Sequence, residues 1–99
     1  MRLTEKQITV IKALTSRHFG EDANVVLFGS RVDDALRGGD IDLLIEANCS
    51  PKRALSAKMA LYAGLQKRLG EQRIDIVVHR DGSSLQPVHE EALRTGVRL

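Results

Sequence analysis

The sequence predicts an α/β (α+β) domain, a small mixed three-stranded sheet flanked by helices, in the order α-β-α-β-α-β-α. Three observations carry that expectation. Short runs rich in β-branched and aliphatic residues, NVVLF at 24–28, DIDLLIE at 40–46 and RIDIVVH at 73–79, alternate with segments of helical apolar spacing. Gly, Pro, Ser or Asp punctuates the junctions between them. The length, 99 residues, suits one domain over 1–99 with a single modest core.

Each element has a local reason. Thr4 to Gln7 has the spacing of a capping box, and Ile8, Ile11 and Leu14 follow at helical intervals, so a helix is expected over 4–18, ending near Phe19-Gly20. NVVLF reads as a strand that stops at Gly29. Ser30 then stands where an N-cap would, with Asp33 three residues on, marking a short helix that Arg37-Gly38-Gly39 breaks. DIDLLIE is the second strand. Ser50 as N-cap and Pro51 in the first turn open a longer helix. On that helix Leu55, Met59 and Tyr62 form one stripe, Leu61, Leu65 and Leu69 another, and Gly70 supplies the stop. Gly64 in its middle is about 1 kcal/mol less favourable than Ala and marks a close packing contact. RIDIVVH is the third strand, Asp81-Gly82 a turn, and residues 87–95 a last helix ended by Gly96.

Composition excludes several classes. The net charge is only +2, although setting three aspartates aside as ligands leaves 10 acidic residues against 15 basic ones. That excess favours a polyphosphate partner, and a solvated mixed-charge surface explains it equally well. A lone cysteine, Cys49, allows no internal disulfide and fits a reducing compartment. The N-terminal apolar stretch carries charges unlike a signal peptide, and no run approaches the roughly 20 apolar residues of a membrane span. A cytoplasmic protein without membrane contact is expected. One Tyr and two Phe give no stacking platform for an extended nucleic-acid surface. His18, His79 and His89 lack zinc-site spacing, and neither G-x-G-x-x-G nor the Walker pattern is present.

Carboxylates inside apolar strands are the unusual feature. Alternation puts Asp40, Asp42 and Leu44 on one side of the second strand and Ile41, Leu43 and Ile45 on the other, with Asp40 and Asp42 about 7 Å apart at Cα. Two such charges repel unless a cation lies between them, and a hard ion such as Mg²⁺ prefers carboxylate, water and phosphate oxygens. Asp75 is a third acid in a similar run and completes a cluster if its strand neighbours the second. Three carboxylates can hold two metal ions roughly 4 Å apart, activating an attacking oxygen and stabilising a leaving pyrophosphate. Solvent-facing acids that guard a sheet edge are the competing account. Gly29 and Ser30 supply a phosphate cradle, with free backbone N–H groups at a helix start, close approach at Gly29 and a hydroxyl at Ser30. Asp33 and Asp34 fit first-turn acids favoured by the helix dipole, and Arg37 fits a soluble loop.

Taken together, GSRVDDALRGGDIDLLIE and RIDIVV resemble the nucleotidyltransferase superfamily of DNA polymerase β type, and above all its smallest branch, the minimal nucleotidyltransferases. The resemblance covers almost the whole chain and includes the signature G-S, D-x-D and a later strand Asp. It implies the nucleotidyltransferase fold and transfer of a nucleoside monophosphate from an NTP, usually ATP, to a hydroxyl. By that resemblance Asp40, Asp42 and Asp75 are the catalytic metal ligands for two Mg²⁺ ions, with Asp75 orienting the acceptor. Gly29 and Ser30 would bind the β- and γ-phosphates, and Arg31 the triphosphate. Gly39 departs from the Ser that small members often carry before D-x-D. Minimal members look like antitoxin partners of small all-helical HEPN proteins, which they neutralise by contact, by AMP transfer, or both. A homo-oligomer is compatible with this reading, whereas a free-standing polymerase is not expected. The alternative is a non-catalytic module that binds a nucleotide or a helical partner and keeps the motif as a relic.

Overall fold

A computed structural model of the chain describes residues 2–32 and 39–99. Helix α1 spans Glu5–Phe19, strand β1 Asn24–Phe28, β2 Ile41–Ala47, helix α2 Pro51–Leu69, β3 Ile74–Arg80, α3 Pro87–Thr95 and β4 Val97–Arg98. The expected capping box starts α1: Thr4 Oγ1 accepts from the Gln7 N–H at 3.1 Å, and the Gln7 side-chain oxygen accepts from the Thr4 N–H at 2.9 Å. Ser50 Oγ caps α2 by accepting from the Arg53 N–H.

The sheet has four strands, in the order β3-β2-β1-β4, where the sequence predicts three. The added strand β4 pairs antiparallel with β1, Leu27 opposite Val97. It is two residues long, too short for any alternation to announce it. It exists because α3 brings the chain back along β1, and Gly96 permits that return: a β-carbon there would collide with the Ala92 carbonyl and the Val26 side chain. A 3₁₀ turn, Gly29–Arg31, follows β1 with Phe28 at its N-cap position and Ser30 inside it, and the short helix expected after Ser30 lies mostly outside the described residues. Asp33, Asp34 and Arg37 lie outside the described residues.

β1 and β2 are antiparallel, whereas β2 and β3 are parallel and joined by the crossover helix α2. One face of the sheet packs Val25, Leu27, Ile41, Leu43, Ile45, Ile74 and Ile76 against α1 and α2. Gly64 of α2 faces Leu14 of α1, so closely that a β-carbon would lie 3.2 Å from a Leu14 methyl. The opposite face is thinner, with Val26 and Leu44 packing on Ala92 of α3.

Where α3 seats on this second face it buries a histidine. His89 Nδ1 accepts from the Gln86 N–H at 3.0 Å, which places the ring proton on Nε2. Its ring lies 5.1 Å from that of His79 in β3, and His79 in turn lies 3.7 Å from Glu46 of β2. Burial, and then the neighbouring His79, hold the pKa of His89 below its usual 6.5. A histidine held neutral in this way favours the folded state fully above about pH 6.5, and that stability is lost as pH falls through the lowered value. The urea midpoint is therefore expected to drop between about pH 7.5 and about pH 5.5. The drop should shrink in His89→Gln, whose amide oxygen can still accept the Gln86 N–H without titrating.

Candidate active site

Antiparallel pairing brings the end of β1 beside the start of β2, and parallel pairing brings the start of β3 to the same end of the sheet. There Asp42 stands opposite Phe28 on one side and opposite Asp75 on the other. Neighbouring strands are about 4.8 Å apart, and side chains in register share a face, so the two carboxyl groups meet on the face that carries α3. They are close enough to hydrogen-bond each other. The expected alternation holds: Ile41, Leu43 and Ile45 are fully buried on the other side. Asp40 falls just outside β2, which begins at Ile41, but its charge is still felt at Asp42.

This proximity has an electrostatic consequence. The Asp42 pKa is raised above 3.8, first by burial, then by the charge of Asp75 and a hydrogen bond with it, and last by Asp40. Among the described residues no three Asp, Glu, His or Cys side chains are arranged as a metal-holding group, so the convergence is of a pair with Asp40 alongside. The donor set still fits a hard divalent cation: all the groups are carboxylate oxygens, and the pair repels without a positive charge between them.

Gly29, at the turn after β1, is tied to the same pair. Its φ of +77° is one that other residues rarely adopt, and a β-carbon there would fall on the Asp42 carboxylate. The room that the missing side chain leaves is thus occupied by Asp42. Ser30 follows, half-buried, inside the turn. Arg31 reaches backbone rather than open solvent: its guanidinium donates to the carbonyls of Arg2 at 2.8 Å and Gly39 at 2.9 Å. Arg2 answers by donating its N–H to the Arg31 carbonyl at 2.8 Å and its guanidinium to the Ser30 carbonyl at 3.0 Å. These bonds tie the N-terminal segment, the Gly-Ser turn and the entry to β2 together.

A groove of about 780 Å³ opens beside β3, with Asp42 and Asp75 in its lining. Its apolar walls include Phe28, Val77, Met59, Tyr62 and Val88, and Lys58 supplies a cation. The sequence reading missed these residues as a site because Met59 and Tyr62 read as a packing stripe. No local signal separates the two stripes, since around the helix Lys58 falls among Leu61, Leu65 and Leu69 rather than between those residues and Leu55, Met59 and Tyr62.

Residues 8–95 match the family described as nucleotidyltransferase domain. The chain belongs to that family. Members transfer a nucleotide and generally use an NTP with a divalent metal, which accords with paired carboxylates beside a Gly-Ser turn. No curated protein sequence matches the chain. Among the described residues no helix is long and apolar enough to cross a membrane.

A raised carboxyl pKa works against the folded state at neutral pH, because the native form holds its proton more tightly than the unfolded chain does. In metal-free buffer Asp42→Asn is therefore expected to raise stability at pH 7 by about 0.5–1 kcal/mol, the scale of a partly exposed charge interaction. The gain should narrow as pH falls toward 3.8, and Mg²⁺ should raise the wild-type Tm more than that of the variant. Gly29→Ala should instead destabilise by about 1–3 kcal/mol through the positive φ and the collision with Asp42. Paired urea titrations with and without Mg²⁺ check both.

Proposed function

We propose that the protein is a Mg²⁺-dependent nucleotidyltransferase of the minimal branch, moving AMP from ATP to a hydroxyl on a small all-helical HEPN partner and so acting as the antitoxin of a pair. The observation that carries the catalytic part is the in-register meeting of Asp42 and Asp75 next to Gly29. Like-charged groups held side by side at the end of a Gly-Ser turn suit cations and a triphosphate better than they suit an isolated fold. The HEPN partner, the choice of ATP and the antitoxin role rest on resemblance to the minimal members.

In this reading Asp40, Asp42 and Asp75 would hold the divalent ions, which when bound neutralise charge on the triphosphate and the departing pyrophosphate. Asp75, on the outer strand, would orient the attacking hydroxyl and accept its proton. The Gly29–Ser30 turn offers N–H groups and a hydroxyl to the terminal phosphates. Arg31 contributes mainly by holding that turn against Gly39, and it reaches the triphosphate only if it exchanges a carbonyl for a phosphate oxygen. Transfer forms a bond from the acceptor oxygen to the α-phosphorus and breaks the bond to the bridging oxygen, releasing pyrophosphate.

The test is label transfer from α-labelled ATP with Mg²⁺ to proteins that co-purify with the chain. Covalent label on a helical partner is expected, and it should fall by at least about a hundredfold in Asp42→Asn, in Asp75→Asn and in an Asp40→Asn, Asp42→Asn double variant. Full label in the double variant would overturn the assignment of the carboxylates. Tight partner binding by both forms with no label would instead establish the non-catalytic module, the reading that the engagement of Arg31 with backbone carbonyls favours.

A further inference from the structure

We infer that the groove beside β3, together with the outward stripe of α2, is where the nucleotide-accepting partner docks, and that the occupant is an acidic, apolar protein segment. The inference rests on the transfer reading above and adds the face and the chemistry of the acceptor. Position favours this face. Across the sheet the Gly-Ser turn follows β1, the carboxylates lie at β2 and β3, and the groove takes in both carboxylates as it runs from Phe28 to the outer strand and α2. In-line displacement needs the attacking oxygen opposite the departing pyrophosphate. With the triphosphate at the turn, that approach runs through the groove.

The lining favours it too. Apolar walls with two carboxylates and Lys58 do not suit a nucleic-acid strand, which needs a basic track and stacking faces. They suit a hydroxyl carried on an apolar side chain. The groove also continues outward. Leu55, Met59 and Tyr62, one stripe of α2, are 61, 65 and 46% exposed. Three large apolar side chains in a row on a helix surface, adjoining a concave apolar cavity, mark a contact surface.

Charge decides the occupant. Helix α2 carries Lys52, Arg53, Lys58, Lys67 and Arg68 and no acidic residue. Lys52 and Lys58, three residues to either side of Leu55, border the stripe. A second copy would set these like charges against each other, so self-pairing through this face is disfavoured. An anionic bilayer would meet the basic helix but also the two carboxylates, and a flat surface does not fill a groove. A protein segment with acidic flanks and a protruding apolar side chain satisfies both the helix and the groove.

The probe is fluorescein-labelled poly(Glu,Tyr), an acidic polypeptide with aromatic hydroxyls, titrated against the full chain by anisotropy without nucleotide. Poly(Lys,Tyr), oligoadenylate RNA and phosphatidylglycerol vesicles serve as competitors. Binding of poly(Glu,Tyr) is expected to weaken by about tenfold or more in Leu55→Glu, and by less than about threefold in Ser56→Glu, which adds the same charge beside the stripe. The docking surface is overturned by absent binding, by equal loss in the two variants, or by stronger binding of RNA or vesicles. Stabilisation of the wild type by ATP with Mg²⁺ reads the transfer site separately. Its absence overturns nucleotidyl transfer whatever the polypeptide does. Failure of poly(Glu,Tyr) with that stabilisation intact overturns the docking surface alone.

Discussion

Two carboxylates held side by side, Asp42 on β2 and Asp75 on β3, are the constraint around which the rest of this small protein is arranged. Alone they would push the strands apart. What opposes them is the other face of the same two strands, where Ile41, Leu43, Ile45, Ile74 and Ile76 are buried against α1 and α2. Side chains alternate, so a slip of one residue in register would turn the acids into the core and the isoleucines toward solvent. The hydrophobic core therefore fixes the pairing that the charges resist. Burial first, and then the unrelieved repulsion from Asp75 and Asp40, hold the Asp42 pKa above its usual value.

The turn after β1 belongs to the same arrangement. Gly29 gives up its side chain so that the Asp42 carboxylate can lie against the backbone, and its positive φ directs the chain into a 3₁₀ turn. Mutual hydrogen bonds between Arg2 and Arg31, and the bond from Arg31 to Gly39, then hold the turn from outside. An arginine next to a Gly-Ser pair reads as a phosphate ligand in sequence. In the fold it is also the tie that closes the loop's base, a role that depends on where the N-terminal segment passes.

Helix α2 divides its surface between two tasks. Leu61 and Leu65 are buried in the core, whereas Leu55, Met59 and Tyr62 look outward toward the groove and its surroundings. The helix also makes the parallel β2–β3 pairing possible, since parallel neighbours need a crossover. The element that places Asp75 next to Asp42 thus also builds the wall of the cavity those acids share. On the opposite face α3 supplies Val88 to that cavity and rests on the neutral His89, so the groove's second wall depends on a packed histidine.

By itself the sequence determined the three main strands and the three long helices to within a residue or two, with the caps at Thr4, Ser50 and Gly70, because those rest on local periodicity and on capping residues. It also singled out Asp40, Asp42, Asp75 and the Gly-Ser pair, because acids inside apolar runs conflict with local burial. Strand β4 stayed illegible, since two residues carry no period and their pairing comes from the path of α3. The direction of Tyr62 and Met59 was equally hidden, because two apolar stripes on one helix look alike until a sheet chooses between them. Only the tertiary structure decided that Asp75 meets Asp42 in register. That contact joins residues 33 positions apart through a crossover helix, and no short-range pattern specifies it.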